Sequence, residues 1–251
     1  MSGVLSGLFT RGLWESGRHV FRSIYARQYG DVLGRDARRG DLVLVCSPLI
    51  PPRLLDREGR QQPYIFTKPD VPGMAYSMSV AVSESEIRAA KYLSESIAVN
   101  TGHSAKLVAD TAIADRRDIS FVSLGLTSNL KSRDMINNSA NDFVRVEVDR
   151  FRSQRSGKNL VSASQTSDFG LIMKISPSNL HDRTWICCAG FGEWGTSGAA
   201  WYLARNWRTL RSKYRKGSFA VIVRVEPQRD ESAEPVVMAG SGEEIERYGR
   251  D

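Results

Sequence analysis

Two almost wholly apolar runs, "WICCAG" at 185–190 and "FAVIVRVE" at 219–226, flank a segment whose apolar residues recur with a helical period. Short runs of this kind, with few polar alternates, are strands buried on both faces. Between them Ala199, Ala200, Leu203, Trp207 and Leu210 form one stripe, which predicts a helix from Thr196 to about Lys213 with one face on a core. Strand, helix and buried strand together require a sheet covered by helices on its faces.

The rest of the chain repeats this alternation. Leu42–Cys46 reads as a buried strand stopped by prolines, and the Pro-, Gly- and Arg-rich stretch 50–79 as a long loop with a short strand at Tyr64–Phe66. Ser83 and Glu86 have capping-box spacing before the stripe Ile87, Ala90, Tyr92, Leu93 and Ile97, and Gly102 ends that helix. Strands are predicted in 105–110, 119–126, 142–149 and 168–176, with a short edge strand at Val236–Met238. The segments 111–118 and 152–167 between them read as polar connections, and 127–138 as a loop entering a helix.

At the N-terminus Leu5, Leu8, Phe9, Leu13, Val20, Phe21, Ile24 and Tyr25 follow a helical stripe with arginines on the opposite face. Gly7, Gly12 and Gly17 weaken that helix by about 1 kcal/mol each. "GRDARRGD" at 34–41 reads as a turn or linker. The pattern as a whole predicts an α/β fold: a Rossmann-like, three-layer, mostly parallel sheet with hairpin additions, preceded by an amphipathic N-terminal helix. Residues 1–34 are assigned to that helix and its linker, and 35–251 to a single domain large enough to bury a full core.

Thirty-five Lys and Arg against 28 Asp and Glu give a net charge of +7, which favours anionic company. Three cysteines, two of them adjacent in an apolar run, suit a reducing compartment. No zinc-type spacing of Cys or His occurs, so no metal is expected. The start lacks the apolar core of a secretory signal, and no run approaches a spanning helix, so the expected location is cytoplasmic.

Two stretches carry candidate chemistry. Gly190, Gly192 and Gly195 match G-x-G-x-x-G between a strand and a helix, where missing side chains and free N–H groups cradle a phosphate. Thr196 and Ser197 add hydroxyl donors there. The second stretch is "SLGLTSNLKSRD" at 123–134, with Gly125, Thr127, Ser128 and Asn129 between a strand and a helix. Lys131 and Arg133 in that helix's first turn oppose its dipole unless an anion is near. Glu193 and Asp168 are the candidate catalytic acids, with Asp110 and Glu86 as further carboxyls that also read as caps or solvated charges. "DFG" at 168–170 lacks every other part of a kinase signature.

"GFGEWGTSGAAWYL" resembles the glycine-rich strand–helix junction of Rossmann-like nucleotide-processing proteins. These are the LOG-like phosphoribohydrolases, the nucleoside deoxyribosyltransferases, and related sensor and effector domains of bacterial antiviral systems. Gly195–Thr196 match the G-T of the LOG-like motif G-G-x-G-T-x-x-E, while Ala199 stands where its catalytic glutamate would be. The resemblance implies a nucleotide-binding protein, either a sensor of a nucleotide signal or a hydrolase of NAD or nucleosides, with a role in bacterial defence. NAD or another nucleotide is the implied cofactor or ligand, and the amphipathic N-terminal segment points to a homo-oligomer. The alternative is an assembly or peripheral-membrane protein that uses the N-terminal helix without catalysis. Nucleic-acid binding through the basic stretch 205–216 is disfavoured, because Trp207 and Leu210 there belong to the predicted core stripe.

Overall fold

The buried runs pair into one sheet. The computed structural model describes residues 23–49, 54–55, 58, 61–62, 64–67, 75–78, 81–177, 179–180, 182–243 and 245–247. Strand β1 (Val43–Cys46) follows a helical segment α1 (23–33) and a short helix α2 (Arg35–Arg39). Two short hairpins come next, β2 (Leu54–Leu55) with β3 (Gln61–Gln62) and β4 (Tyr64–Thr67) with β5 (Ala75–Met78). Helix α3 (Glu84–Thr101) then leads to β6 (Lys106–Ala109), a 3-10 turn at Asp110–Ile113, β7 (Phe121–Leu124) and α4 (Leu130–Ile136). The chain continues through β8 (Val144–Val146), β9 (Arg150–Ser153), β10 (Asn159–Ser162), β11 (Asp168–Ile175) and β12 (Trp185–Gly190). Helix α5 (Glu193–Tyr214), β13 (Phe219–Glu226), β14 (Arg229–Gly240) and β15 (Glu246–Arg247) complete it.

The central sheet has eight strands in the order β15-β14-β13-β11-β12-β7-β1-β6. The parallel character is confined to the half β6-β1-β7-β12. From β12 outward every ladder is antiparallel, because β11 is inserted between β12 and β13 and runs against both. The sheet is therefore mixed, and the fold is α/β.

Period-two burial splits its side chains between two cores. Leu44, Val122, Leu124, Ile172 and Cys188 join α1, α3 and α5 on one face, while Val45, Phe121, Met173 and Cys187 join α4 and the small sheet β10-β9-β8 on the other. Each Leu, Ile or Val so buried contributes about 1.5–3 kcal/mol.

Several elements depart from what the pattern predicts. The polar stretch 152–167 contains the second half of β9 and all of β10, and the few apolar residues of these strands, Phe151, Leu160 and Val161, are all buried against the sheet. The turn expected at 34–41 holds α2, and its Asp36 is buried between Arg183 and the Ser120 hydroxyl. The short edge strand expected at Val236–Met238 is part of the 12-residue β14, and β15 pairs outside it.

Helix α5 starts at Glu193, before Thr196, because Gly195 and Gly198 let its first turns lie directly on the sheet. A Cβ on Gly198 would sit 2.5 Å from a Val225 methyl. In α1 the buried face is Tyr29, Val32 and Leu33, while Ile24 and Tyr25 of the expected stripe are exposed. Tyr29 meets Trp207 edge-on at 5.2 Å and donates to the Ser96 hydroxyl, so this segment is part of the core. Leu5, Leu8, Phe9, Leu13, Val20 and Phe21 lie outside the described residues. The buried Lys174 amine, lowered to about 8 by desolvation, donates to the Asp31 and Lys216 carbonyls and ties α1 to β11. Among the described residues no helix is long and apolar enough to cross a membrane.

Candidate functional site

The order of the strands places a crevice. From β1 the chain passes through α3 to β6 on one side, and from β7 it passes through α4 towards β12 on the other. α3 and α4 cover opposite faces of the sheet, so the carboxyl ends of β1 and β7 part, which is where open α/β sheets bind ligands. A crevice of about 560 Å³ lies there. It is lined by the buried Ser85, Glu86, Gly125, Gly190 and Thr196, the half-buried Ser83 and Phe191, and the exposed Thr127, Ser128 and Gly192. Leu49, Val146 and Val148 form an apolar lip, with Val148 fully exposed. At least as many hydroxyl and carboxyl residues as apolar side chains line this crevice, so it is more polar than the usual drug-sized site.

Glu86 is the unusual member. Ser83 precedes α3, but its hydroxyl contacts Ser85 and makes no cap to the helix backbone. The carboxyl of Glu86 turns inward instead, and Oε2 accepts the Ser47 N–H at 2.8 Å just past the end of β1. Its side chain is buried, and Gly125 is required beside it: that residue has φ +96°, and a Cβ there would be 2.8 Å from Oε1. Burial pushes the Glu86 carboxyl up to about 7, and the negative charge of the buried Asp110 adds to this. Hydrogen bonds from Ser47 N–H and the Cys46 thiol act the other way. The Cys46 thiol is itself pushed up to about 12, by burial and then by Glu86, and stays protonated. A carboxyl balanced near neutrality in a cleft can both give and take a proton.

The other predicted residues fall into three groups. Gly190, Gly192, Thr196, Gly125, Thr127 and Ser128, from two separate loops, meet around the crevice. Asn129 and Ser197 are buried behind it. The Asn129 amide caps α4 by accepting from Lys131 N–H and Ser132 N–H, and donates to the Val45 and Leu124 carbonyls. The Ser197 hydroxyl donates to the buried Asp230 at 2.5 Å. Glu193 lies on the outer surface of α5, half exposed and paired with Arg88 at 3.5 Å, and does not line the crevice. Arg88 also stacks on Trp194 and pairs with Asp230, joining α3, α5 and β14.

Asp168 stands at the start of β11, where the register Gly170↔Gly190 sets it beyond the end of β12. Its carboxylate accepts from Gly192, Trp194 and Gly195 N–H at 3.1, 3.0 and 2.7 Å. Gly195 itself packs on the sheet: its Cβ would lie 2.4 Å from the Phe169 carbonyl, and one on Gly190 would lie 2.5 Å from Gly195. The glycine stretch is thus filled by the chain's own backbone and one carboxylate. Lys131, whose position suggested a nearby anion, is turned away to the Ala114 and Arg116 carbonyls and Asp134. Asp110 accepts the Leu130 N–H through Oδ2, and its buried Oδ1 has no hydrogen-bond partner among the described residues.

Among the described residues no cluster of three or more His, Cys, Asp or Glu is placed to hold a metal ion. A second crevice of about 520 Å³, with Arg117 and Arg133 on its wall, lies beside Trp185 at the amino end of β12, the end such sheets do not use for ligands. Compared with known proteins, the chain matches no family model and no curated protein.

Proposed function

We propose that the crevice at the carboxyl ends of β1, β7 and β12 is a Rossmann-like site for a nucleoside-like ligand, and that Glu86 is its acid–base group. The carrying observation is a buried carboxyl, pushed up to about 7, facing a cleft of hydroxyls with an apolar lip. The hydroxyls of Ser83, Ser85, Thr127 and Thr196 suit a sugar, and Leu49, Val148 and Phe191 suit the flat face of a base. The reaction that fits is hydrolysis of the N-glycosidic bond of a nucleoside. Protonated Glu86 gives its proton to the leaving base as the C1′–N bond breaks. Water then forms the new C1′–O bond, and the carboxylate takes a proton from it. Glu147, at the crevice wall between Arg150 and Arg152, is a second carboxylate for the developing positive charge on the sugar.

Thermal unfolding against nucleosides, their phosphates, NAD and ADP-ribose tests the binding step. A ligand at 100 times its Kd adds about 2.7 kcal/mol, a shift of roughly 5–10 °C for a chain of this size. The expected result is a shift for wild type that Ser128→Trp abolishes, because a large ring on that exposed rim residue fills the crevice. No shift for any of these ligands, or a shift unchanged by Ser128→Trp, refutes the site.

A further inference from the structure

In a dinucleotide site the N–H groups at the glycine turn and the first turn of the following helix hold a pyrophosphate. Here those donors already have an anion. Both oxygens of Asp168 are engaged: Oδ1 accepts from Phe169 and Gly192 N–H, and Oδ2 from Trp194 and Gly195 N–H. The absent Cβ of Gly192 leaves room for that carboxylate, since a side chain there would begin 2.7 Å from Oδ2. The device depends on β11. Because this strand is antiparallel to β12, its first residue arrives beside the end of β12, at the place a phosphate would take.

Resting on the reading of the crevice as a nucleoside site, we infer that Asp168 is its specificity-determining residue. It occupies the α5 donors next to Gly192, which with Gly190 lines the crevice, so these donors are not free for a ligand's phosphate. The ligand group arriving there is a neutral hydroxyl, so the chain selects nucleosides over their 5′-monophosphates. Asp168 acts through the helix terminus and is a positioning residue, with no part in bond breaking.

The test compares wild type, Asp168→Ala and Asp168→Asn. The first probe is inorganic phosphate against chloride at matched ionic strength, read by melting temperature. The second is calorimetric affinity for adenosine and guanosine and for their 5′-monophosphates. Phosphate is expected to leave wild type unchanged and to restore part of the stability lost in Asp168→Ala, by entering the vacated donors. Wild type is expected to bind a nucleoside at least about tenfold tighter than its monophosphate, and Asp168→Ala to reverse that order. Asp168→Asn, which keeps an acceptor but loses the charge, is expected to narrow the ratio without phosphate rescue, and carries the comparison if the alanine variant does not fold. Equal stabilisation of wild type and Asp168→Ala by phosphate, or tighter binding of the monophosphate to wild type, overturns the inference. If neither member of any pair binds while phosphate still rescues Asp168→Ala, the nucleoside reading itself has failed, and the selectivity falls with it while the capping role stands.

Discussion

Replacing Glu86 by Gln isolates the cost of burying its charge. The amide keeps an oxygen for the Ser47 N–H and nearly the same volume beside Gly125. In the folded chain the carboxyl is pushed from its ordinary 4.5 up to about 7, so over that window the native state holds a proton that the unfolded chain has released. Stability therefore falls as pH rises from about 4.5 to about 7. The full shift would correspond to about 3 kcal/mol. Glu86 is buried but lines an open crevice, and the high effective dielectric of such sites reduces this to about 1–2 kcal/mol. Glutamine carries no such penalty, so the melting temperature of Glu86→Gln minus that of wild type is expected to grow by roughly 2–8 °C between pH 5 and pH 8. Lys174, lowered to about 8, changes charge above most of this window and cancels in the difference. Melting curves of both proteins at four pH values measure it. A difference that stays constant with pH would mean the carboxyl is not perturbed, and the acid–base assignment would lose its physical basis.

Other positions give sharper structural tests. Gly190→Ala would drive a methyl against the Gly195 backbone, where nothing flexible can yield, and is expected to cost about 3 kcal/mol or more, whereas Gly157→Ala meets open space and costs about 1–2 kcal/mol for its φ of +68° alone; urea denaturation of the pair reads the contrast. Trp207→Ala removes the ring against Tyr29 and is expected to cost about 3–5 kcal/mol, with earlier proteolysis near α1. Gly125→Ala strains a left-handed residue and crowds Glu86, so it is expected to lower both stability and ligand affinity, while Gly242→Ala, also left-handed but with no neighbour, lowers stability alone.

The parallel half of the sheet and the α5 crossover were legible in the sequence because their signals are strong and local: apolar runs at 121–124, 185–190 and 219–226, and one long stripe. The two loops that meet at the crevice could also be picked out, as small residues between a strand and a helix. Their meeting could not, since it depends on β1, β7 and β12 being neighbours. Glu86 was present as a capping box; Ser-x-x-Glu spacing is the same whether the carboxyl turns back to the helix or forward to Ser47. Strands β9 and β10 were hidden by their polar neighbours, because Phe151, Leu160 and Val161 are their only apolar residues. The glycine stretch was legible only in part. Its pattern fits a phosphate cradle, and only the register of β11 shows that Asp168 fills it.

The most direct test of the central claim is release of free base from nucleosides, followed by chromatography across pH 5–9 for wild type and Glu86→Gln. Turnover is expected to fall as pH rises through about 7 in wild type and to be lost in Glu86→Gln, which still binds ligand. Release that persists undiminished in Glu86→Gln would contradict the assignment, as would a wild type that binds nucleosides and never cleaves them.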